Sequence, residues 1–326
     1  MTPAAIRGRL AATAAAAAIA VPAAAGEPAG VNMTVAQAWS GVAPCLANAA
    51  RLGRSRAATL ERVTASSRRI DARVAGYTFV GEAEPLVAAF RQMTRRAPRS
   101  IRPGKNSYCR DVECAARTLF GAEVGSRLLL LAAVYHYNAS PLGTEATQPW
   151  TVAELDELLD AFGDLPPSLF PLEPAGYRAL VYRHRSHHAR APGSPFEPAA
   201  SAGEGSEGIV VVQGWRKVGK AERRAIIAHE LAHEFTRSLP RSSNWRARWA
   251  RAMAADAQAA AGAGRVSFAS VYAQRNLDED FAESFVAYRY MAPLLKRRAP
   301  GRYALLRDWV FKGVEYGSAA QCADRA

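Results

Sequence analysis

The chain lacks the motifs that most often reveal a function from sequence alone. It has no glycine-rich phosphate loop, no G-x-S-x-G nucleophile elbow and no internal repeat, which argues against P-loop nucleotide-binding proteins and serine hydrolases of the elbow type. After residue 25, no apolar run approaches the roughly 20 residues of a membrane span. The segment LLLLAAVYHY (128–137) is typical of a buried helix instead, and a hydrophobic content of 49% can build a substantial core.

Cysteine is scarce, with four residues in a chain of 326. None has C-x-x-C spacing, which argues against a cysteine zinc site and thioredoxin-like chemistry. An even number in an exported chain predicts two disulfide bonds, and sequence leaves all three pairings open. Cys109 and Cys114 are near enough in sequence to pair if the chain bends between them; the other two are Cys45 and Cys322.

Acidic residues are few beside basic ones, 29 against 42, and the net charge is +13. Such a charge suits an anionic envelope surface or nucleic acid. Nearly all the bases are arginines scattered through alanine-rich segments, with no RNA-binding motif or zinc finger beside them. We therefore do not expect nucleic-acid binding, keep an anionic envelope surface as a candidate partner, and leave the oligomeric state open.

The first 25 residues have the layout of a removable export signal. Arg7 and Arg9 give a positive start, residues 10–21 are weakly apolar, and small residues precede Gly26 as a cleavage site. The signal predicts a protein that is exported, either to the periplasm or to the outside of the cell. A signal peptide over residues 1–25 is thus the first expected part of the chain.

Hydrophobic periodicity predicts a mainly α protein with a small β-sheet, an α+β fold. GIVVVQGW (208–215) is typical of a strand, which could lie exposed beside a cleft and bind peptide by β-addition or lie wholly inside the sheet. Thr151 and Glu154 have capping-box spacing. The helices are expected over 58–76, 84–97, 111–137 with a break around Gly121–Gly125, 151–163, 220–238, 244–260, 278–291 and 302–312.

The stretch HELAH (229–233) carries the clearest chemical signal. His229 and His233 lie four residues apart, so on a helix both imidazoles reach the same point, and neutral imidazole is a good zinc ligand. Glu230 is offset by about 100° from His229 and can take a proton from the attacking water. This is the division of labour in H-E-x-x-H metallopeptidases, and one zinc ion is the expected cofactor.

A catalytic zinc needs a third protein ligand. Thr236 and Leu239 occupy the glycine and histidine positions of the metzincin extension, which excludes that class. Downstream, NLDEDFAESF (276–285) offers Glu279 and Glu283 on one face of a predicted helix. One can bind zinc while the other holds a histidine ring, and spacing alone does not choose between them.

The pair HELAHEF and EDFAESF resembles the gluzincins related to anthrax lethal factor and the Pro-Pro endopeptidases. The resemblance covers roughly residues 205–295 and, weakly, 141–172. It implies a zincin-like domain with Glu279 as third ligand and Glu283 behind the ligands. It also implies a catalytic tyrosine seven residues before the ligand, at Tyr272, whose phenol could stabilise the oxyanion.

Together these features predict an exported zinc-dependent metallopeptidase acting on a peptide or protein. We expect a helical N-terminal region over residues 26–140 followed by the zincin-like domain over residues 141–326. Two alternatives remain open. A zinc-dependent amidase or other hydrolase of cell-wall material could use the same centre, or the zinc could be structural and the protein a non-catalytic interaction module.

Overall fold

Helices dominate the part of the chain that the structure describes. The computed structural model describes residues 56–95, 108–140, 149–170, 178–183, 200–202, 208–212, 216, 219–261, 269–270 and 272–316, all within a compact unit of residues 32–326. The helices are α1 Arg56–Ala65, α2 Glu84–Arg95, α3 Val112–Phe120, α4 Ala122–Tyr135, α5 Val152–Gly163, α6 Lys220–Ser238, α7 Trp245–Ala261, α8 Leu277–Tyr290, α9 Ala292–Arg298 and α10 Pro300–Leu305. The strands are β1 Arg69–Val74, β2 Tyr77–Ala83, β3 Tyr137–Asn138, β4 Arg178–Arg183, β5 Ala200–Ala202 and β6 Ile209–Val212. The expected mainly α fold with a small sheet component is confirmed, whereas the predicted signal peptide lies outside the described residues.

A β-hairpin occupies part of the region expected to be helical. The helix predicted over 58–76 is wrong beyond the end of α1, because β1 and β2 pair there as antiparallel strands. Ile70 and Val74, whose spacing also fits a helix, share one face of β1. Ala75 and Gly76 turn the chain with φ of 50° and 89°, the positive values of the turns that hairpins favour. The N-terminal region is therefore not wholly helical.

The break between α3 and α4 lies at Gly121, as expected, where φ is 91°. Gly125 lies inside α4 and is buried. A Cβ atom on Gly125 would lie 2.3 Å from the carbonyl oxygen of Ala116 in α3. This glycine therefore allows the two helix backbones to touch.

Gly125→Ala should lower the free energy of unfolding by about 1–3 kcal/mol, the usual cost of overpacking a filled interior. The contacted atoms are main chain, so α3 must move as a whole to admit the methyl group. Urea unfolding measures the change. Gly219→Ala is the matched control, because its Cβ would meet nothing within 4 Å. If Gly125→Ala were as stable as the wild type, the close helix contact would be wrong.

The capping box at the start of α5 is confirmed. The hydroxyl of Thr151 accepts the Glu154 backbone N–H at 3.3 Å, and the Glu154 carboxylate accepts the Thr151 N–H at 2.8 Å. Arg216 also pairs with Glu154. The start of α5 is thus held by hydrogen bonds within its first turn and by Arg216, which lies 62 positions after Glu154.

A four-stranded sheet has the order β3–β4–β6–β5. β4 runs parallel to both β3 and β6, and β5 pairs antiparallel with β6. The strand expected at 208–215 is confirmed over Ile209–Val212. Since β6 is paired on both sides, its alternative role as an exposed peptide-binding strand is wrong, and β5 is the outer strand next to it.

Buried charges hold the first turn of α8. Asp280 is fully buried and accepts hydrogen bonds from the Trp249 indole at 2.8 Å and from the Arg302 guanidinium. Burial raises the pKa of Asp280 despite that guanidinium. Arg302 also pairs at 3.0 Å with Asp256, whose carboxylate accepts the Gly301 backbone N–H at 2.7 Å. These contacts tie α7, α8 and α10 together.

A second buried cluster holds the last turn of α8. The Arg289 guanidinium lies 3.0 Å from the Asp164 carboxylate, to which the Tyr290 hydroxyl donates at 3.1 Å. Arg224 of α6 lies 3.9 Å from the same carboxylate. Asp164 follows α5 as its C-cap. Both α6 and α8 are therefore anchored to one residue.

A disulfide bond joins Cys109 and Cys114, which confirms one of the pairings left open by the sequence. Cys45 and Cys322 lie outside the described residues. Across the described ranges, none of the helices combines the length and the hydropathy that crossing a bilayer requires.

Candidate metal centre

The HELAH stretch lies in α6, on the side that faces α8. One face of α6 is packed with small and aliphatic residues that are at most 3% exposed, namely Ala225, Ile227, Ala228, Leu231 and Ala232. The side chains of His229 and His233 retain 12% and 13% exposure, and their ring centroids lie 4.8 Å apart. The helix therefore presents both imidazoles on one partly open face, next to α8.

Three side-chain atoms from two helices converge. The Nε2 atoms of His229 and His233 are 3.1 Å apart, and Glu279 Oε2 lies 3.0 Å from the first and 3.3 Å from the second. Tetrahedral ligands at zinc bond lengths of 2.0–2.1 Å are about 3.3 Å from one another. His229, His233 and Glu279 thus form a group that could hold a metal ion.

The hydrogen bonds around the three atoms also suit a cation. The His229 Nδ1–H donates to Glu283 Oε1 at 2.8 Å. When the ring is neutral, with its proton on Nδ1, the lone pair is on Nε2. Glu279 Oε2 is buried, and within the described part of the chain it accepts no hydrogen bond of acceptable angle. Three electron-rich atoms that face each other at this spacing repel unless a proton or a metal ion supplies positive charge between them.

The first turn of α8 fixes Glu279. The side chain of Asn276 caps the helix and accepts the Glu279 backbone N–H at 2.9 Å. Burial alone would raise the pKa of Glu279, but the imidazoles of His229 and His233 outweigh burial and hold that pKa well below its usual range. The carboxylate is therefore ionised at neutral pH, as a metal ligand must be.

The structure separates the two glutamates that spacing left equivalent. Glu279 Oε2 lies within 3.3 Å of both Nε2 atoms, whereas Glu283 lies on the Nδ1 side of His229 and is 1% exposed. Burial opposes a charge on His229, yet contact with Glu279 and Glu283 outweighs burial and raises the pKa of His229 well above its ordinary value. Both carboxylates attract the same ring, from opposite sides.

Glu230 and Tyr272 line the cleft above these atoms. Glu230 is 6% exposed. Tyr272 lies on a short 3₁₀ turn, Tyr272–Gln274, with its ring centroid 6.0 Å from that of His229. Burial, aided by the charge of Glu279, raises the pKa of Tyr272 to about 12. The phenol therefore keeps its proton near neutral pH and can donate a hydrogen bond.

The cleft has a volume of about 870 Å³ and extends from the metal centre along the end of α6 to the start of α7. Away from the metal group its lining includes the polar residues Thr236, Asn244 and Arg241. Trp245 adds an aromatic surface. This volume is within the range of ligand pockets, and all three residues of the metal group line the cleft.

Two supporting features have no signal in the sequence. The hydroxyl of Ser270 donates to Glu283 at 2.6 Å, and Arg302 reaches Asp280, the neighbour of Glu279, from 22 residues away. Isolated serine and arginine residues occur throughout the chain, so only three-dimensional proximity identifies these two.

Comparison of the chain with protein-family models, with curated proteins and with solved structures found no match.

Proposed function

We propose that this protein is an exported zinc-dependent metallopeptidase of the gluzincin type. The proposal depends on one observation, the convergence of His229, His233 and Glu279 within 4.8 Å of one another. Two imidazoles and one carboxylate are the His₂Glu donor set of catalytic zinc sites. Imidazole donors favour zinc over magnesium or calcium, which prefer oxygen ligands alone.

When bound at these three side chains, zinc supplies a Lewis acid for a carbonyl oxygen and for an attacking water. Glu230 acts as general base: it takes one proton from the water as the oxygen bonds to the scissile carbonyl carbon. It then gives that proton to the nitrogen that leaves as the peptide C–N bond breaks. Its position on the cleft wall, one residue after His229, supports this role.

Tyr272 donates a hydrogen bond to the oxyanion that develops on the scissile carbonyl. Its protonated phenol on the cleft wall supports this assignment. Glu283 orients His229 by accepting its Nδ1–H, as carboxylates behind zinc-bound histidines commonly do. The four roles divide the chemistry among residues from α6, α8 and the turn between α7 and α8.

A zincin-like domain over residues 141–326 is part of the proposal. Its support is the contact of the H-E-x-x-H helix with a sheet whose outer strand β5 is antiparallel to its neighbour. Export is supported by the leader-like start of the chain and by the Cys109–Cys114 disulfide, a bond typical of oxidising compartments. The expected substrate is a peptide or protein outside the cytoplasm.

Removing zinc tests the proposal directly. Treatment with a chelator should abolish hydrolysis of a mixed peptide library, and equimolar zinc should restore it, because Lewis-acid assistance is lost with the metal. Product formation is followed by mass spectrometry, with purified peptidoglycan as the parallel substrate. Cleavage of peptidoglycan alone would identify a cell-wall amidase instead. Binding of zinc without hydrolysis of either substrate would contradict an enzymatic role.

A further inference from the structure

The hydroxyl of Ser270 joins two parts of the site. Its proton is donated to Glu283 Oε2 at 2.6 Å, and its oxygen accepts the backbone N–H of Ala273 at 3.1 Å. Ala273 is the middle residue of the 3₁₀ turn that begins at Tyr272. One side chain therefore connects a carboxylate on α8 to the turn that carries the tyrosine.

Glu283 is buried, and Ser270 is a donor to it. Its side chain is 1% exposed, and its other oxygen, Oε1, accepts the His229 Nδ1–H at 2.8 Å. A buried carboxylate is stable only when donors satisfy its oxygens. With Oε2 held by Ser270, the carboxylate is fixed in the rotation that lets Oε1 face the imidazole.

The consequences reach the metal centre by two routes. Through Glu283, the hydroxyl fixes the tautomer and plane of the His229 ring, and so the direction of the Nε2 lone pair. Through Ala273, it fixes the turn that holds the Tyr272 ring 6.0 Å from the His229 ring. Ser270 itself does not line the cleft, so it acts through other residues and not by touching substrate.

We infer that Ser270 is a positioning residue that aligns the metal-binding imidazole of His229 with the phenol of Tyr272. The inference about zinc affinity requires only the metal group, whereas the inference about turnover rests on the proposed peptidase function. The two are separable, because zinc affinity is measurable on a protein that cleaves nothing.

Ser270→Ala should weaken zinc binding about 10-fold, the lower end of the effect of losing a partner behind a metal ligand. Competition with a chromophoric chelator measures this dissociation constant. In peptide hydrolysis, kcat should fall while KM changes little, because the hydroxyl aligns reacting groups and contacts no substrate. Ser270→Thr keeps the hydroxyl and should restore most of both losses.

Ser284→Ala is the matched control. Ser284 is fully buried on α8 beside Glu283, and its hydroxyl has no hydrogen-bond partner among the described residues. It should therefore bind zinc like the wild type. The inference would be overturned if Ser270→Ala bound zinc as tightly as the wild type. It would also be overturned if Ser270→Ala and Ser284→Ala lost zinc affinity to the same extent.

Thermal unfolding of the metal-free proteins verifies that each variant is folded. If Ser270→Ala does not fold, Ser270→Cys takes its place, since a thiol is similar in size but only a weak donor. Weakened zinc binding in folded Ser270→Cys supports the inference, and unchanged binding overturns it. Wild-type protein that binds zinc but cleaves no peptide would refute the peptidase proposal alone and leave this test valid.

Discussion

Replacing Glu230 by glutamine should lower kcat for peptide hydrolysis about 10³-fold while the protein keeps its zinc. The amide has the size of the carboxylate but cannot accept the proton of the attacking water, and general-base catalysis contributes about 10²–10⁴-fold. Glu230 is not one of the three converging ligands, so metal content should stay at one zinc per chain. Steady-state kinetics and elemental analysis on the same preparation measure both quantities.

Glu222→Gln is the matched control for this variant. Glu222 lies in the first turn of the same helix and does not line the cleft, so the same chemical change there should leave kcat within about twofold of the wild type. If Glu230→Gln hydrolysed peptide at the wild-type rate, Glu230 would not be the general base. Loss of zinc together with activity would instead make Glu230 a ligand.

Glu279→Ala should weaken zinc binding by more than about 100-fold, whereas Glu283→Ala should weaken it by about 10- to 100-fold. The first change removes a donor atom that lies 3.0 Å and 3.3 Å from the two imidazoles. The second removes only the acceptor behind His229, and losses of that kind fall in the lower range. Chelator competition on both variants compares the two dissociation constants directly.

Asp278→Ala serves as the control for Glu279→Ala. Asp278 is a partly exposed carboxylate in the same helical turn, it lines the same cleft and it pairs with Arg246 at 2.9 Å. Its removal should leave zinc affinity unchanged. The reverse order, with Glu283→Ala losing the metal and Glu279→Ala retaining it, would exchange the roles of the two glutamates.

Local sequence patterns predicted the elements whose determinants lie within one turn of helix. The capping box needs only Thr151 and Glu154, three residues apart, and the helix break needs only the positive φ of Gly121. Both are present in the structure. The spacing of His229 and His233 likewise follows from α-helix geometry, which brings residues i and i+4 to one face.

The sequence predicts a helix where β1 and β2 form a hairpin, because a short apolar pattern can fit both the helical and the strand repeat. Ile70 and Val74 are four residues apart, which suits one face of a helix and equally one face of a strand. The turn is distinguished from a helix by the positive φ angles of Ala75 and Gly76. Alanine rarely adopts a positive φ, so the sequence does not indicate a turn at this position.

The choice between Glu279 and Glu283 could not be made from their spacing, because both face α6 from the same side of α8. It depends on how deeply each lies along the contact between the two helices. That contact is set by long-range partners, Asp164 for both helices and Arg302 for the start of α8. Ser270 is a partner of the same long-range kind.

The buried ion pairs around α8 and the exposed ion pair at the cleft should respond differently to ionic strength. Arg302, Asp280, Arg289 and Asp164 are at most 2% exposed, so dissolved ions cannot enter between them, and salt screens buried pairs little. The pair Arg246–Asp278, which lines the cleft, is 65% and 40% exposed, so salt weakens it more than the buried pairs. Rising salt should therefore change the attraction of charged ligands to the cleft before it weakens the ion pairs that hold α8 in place.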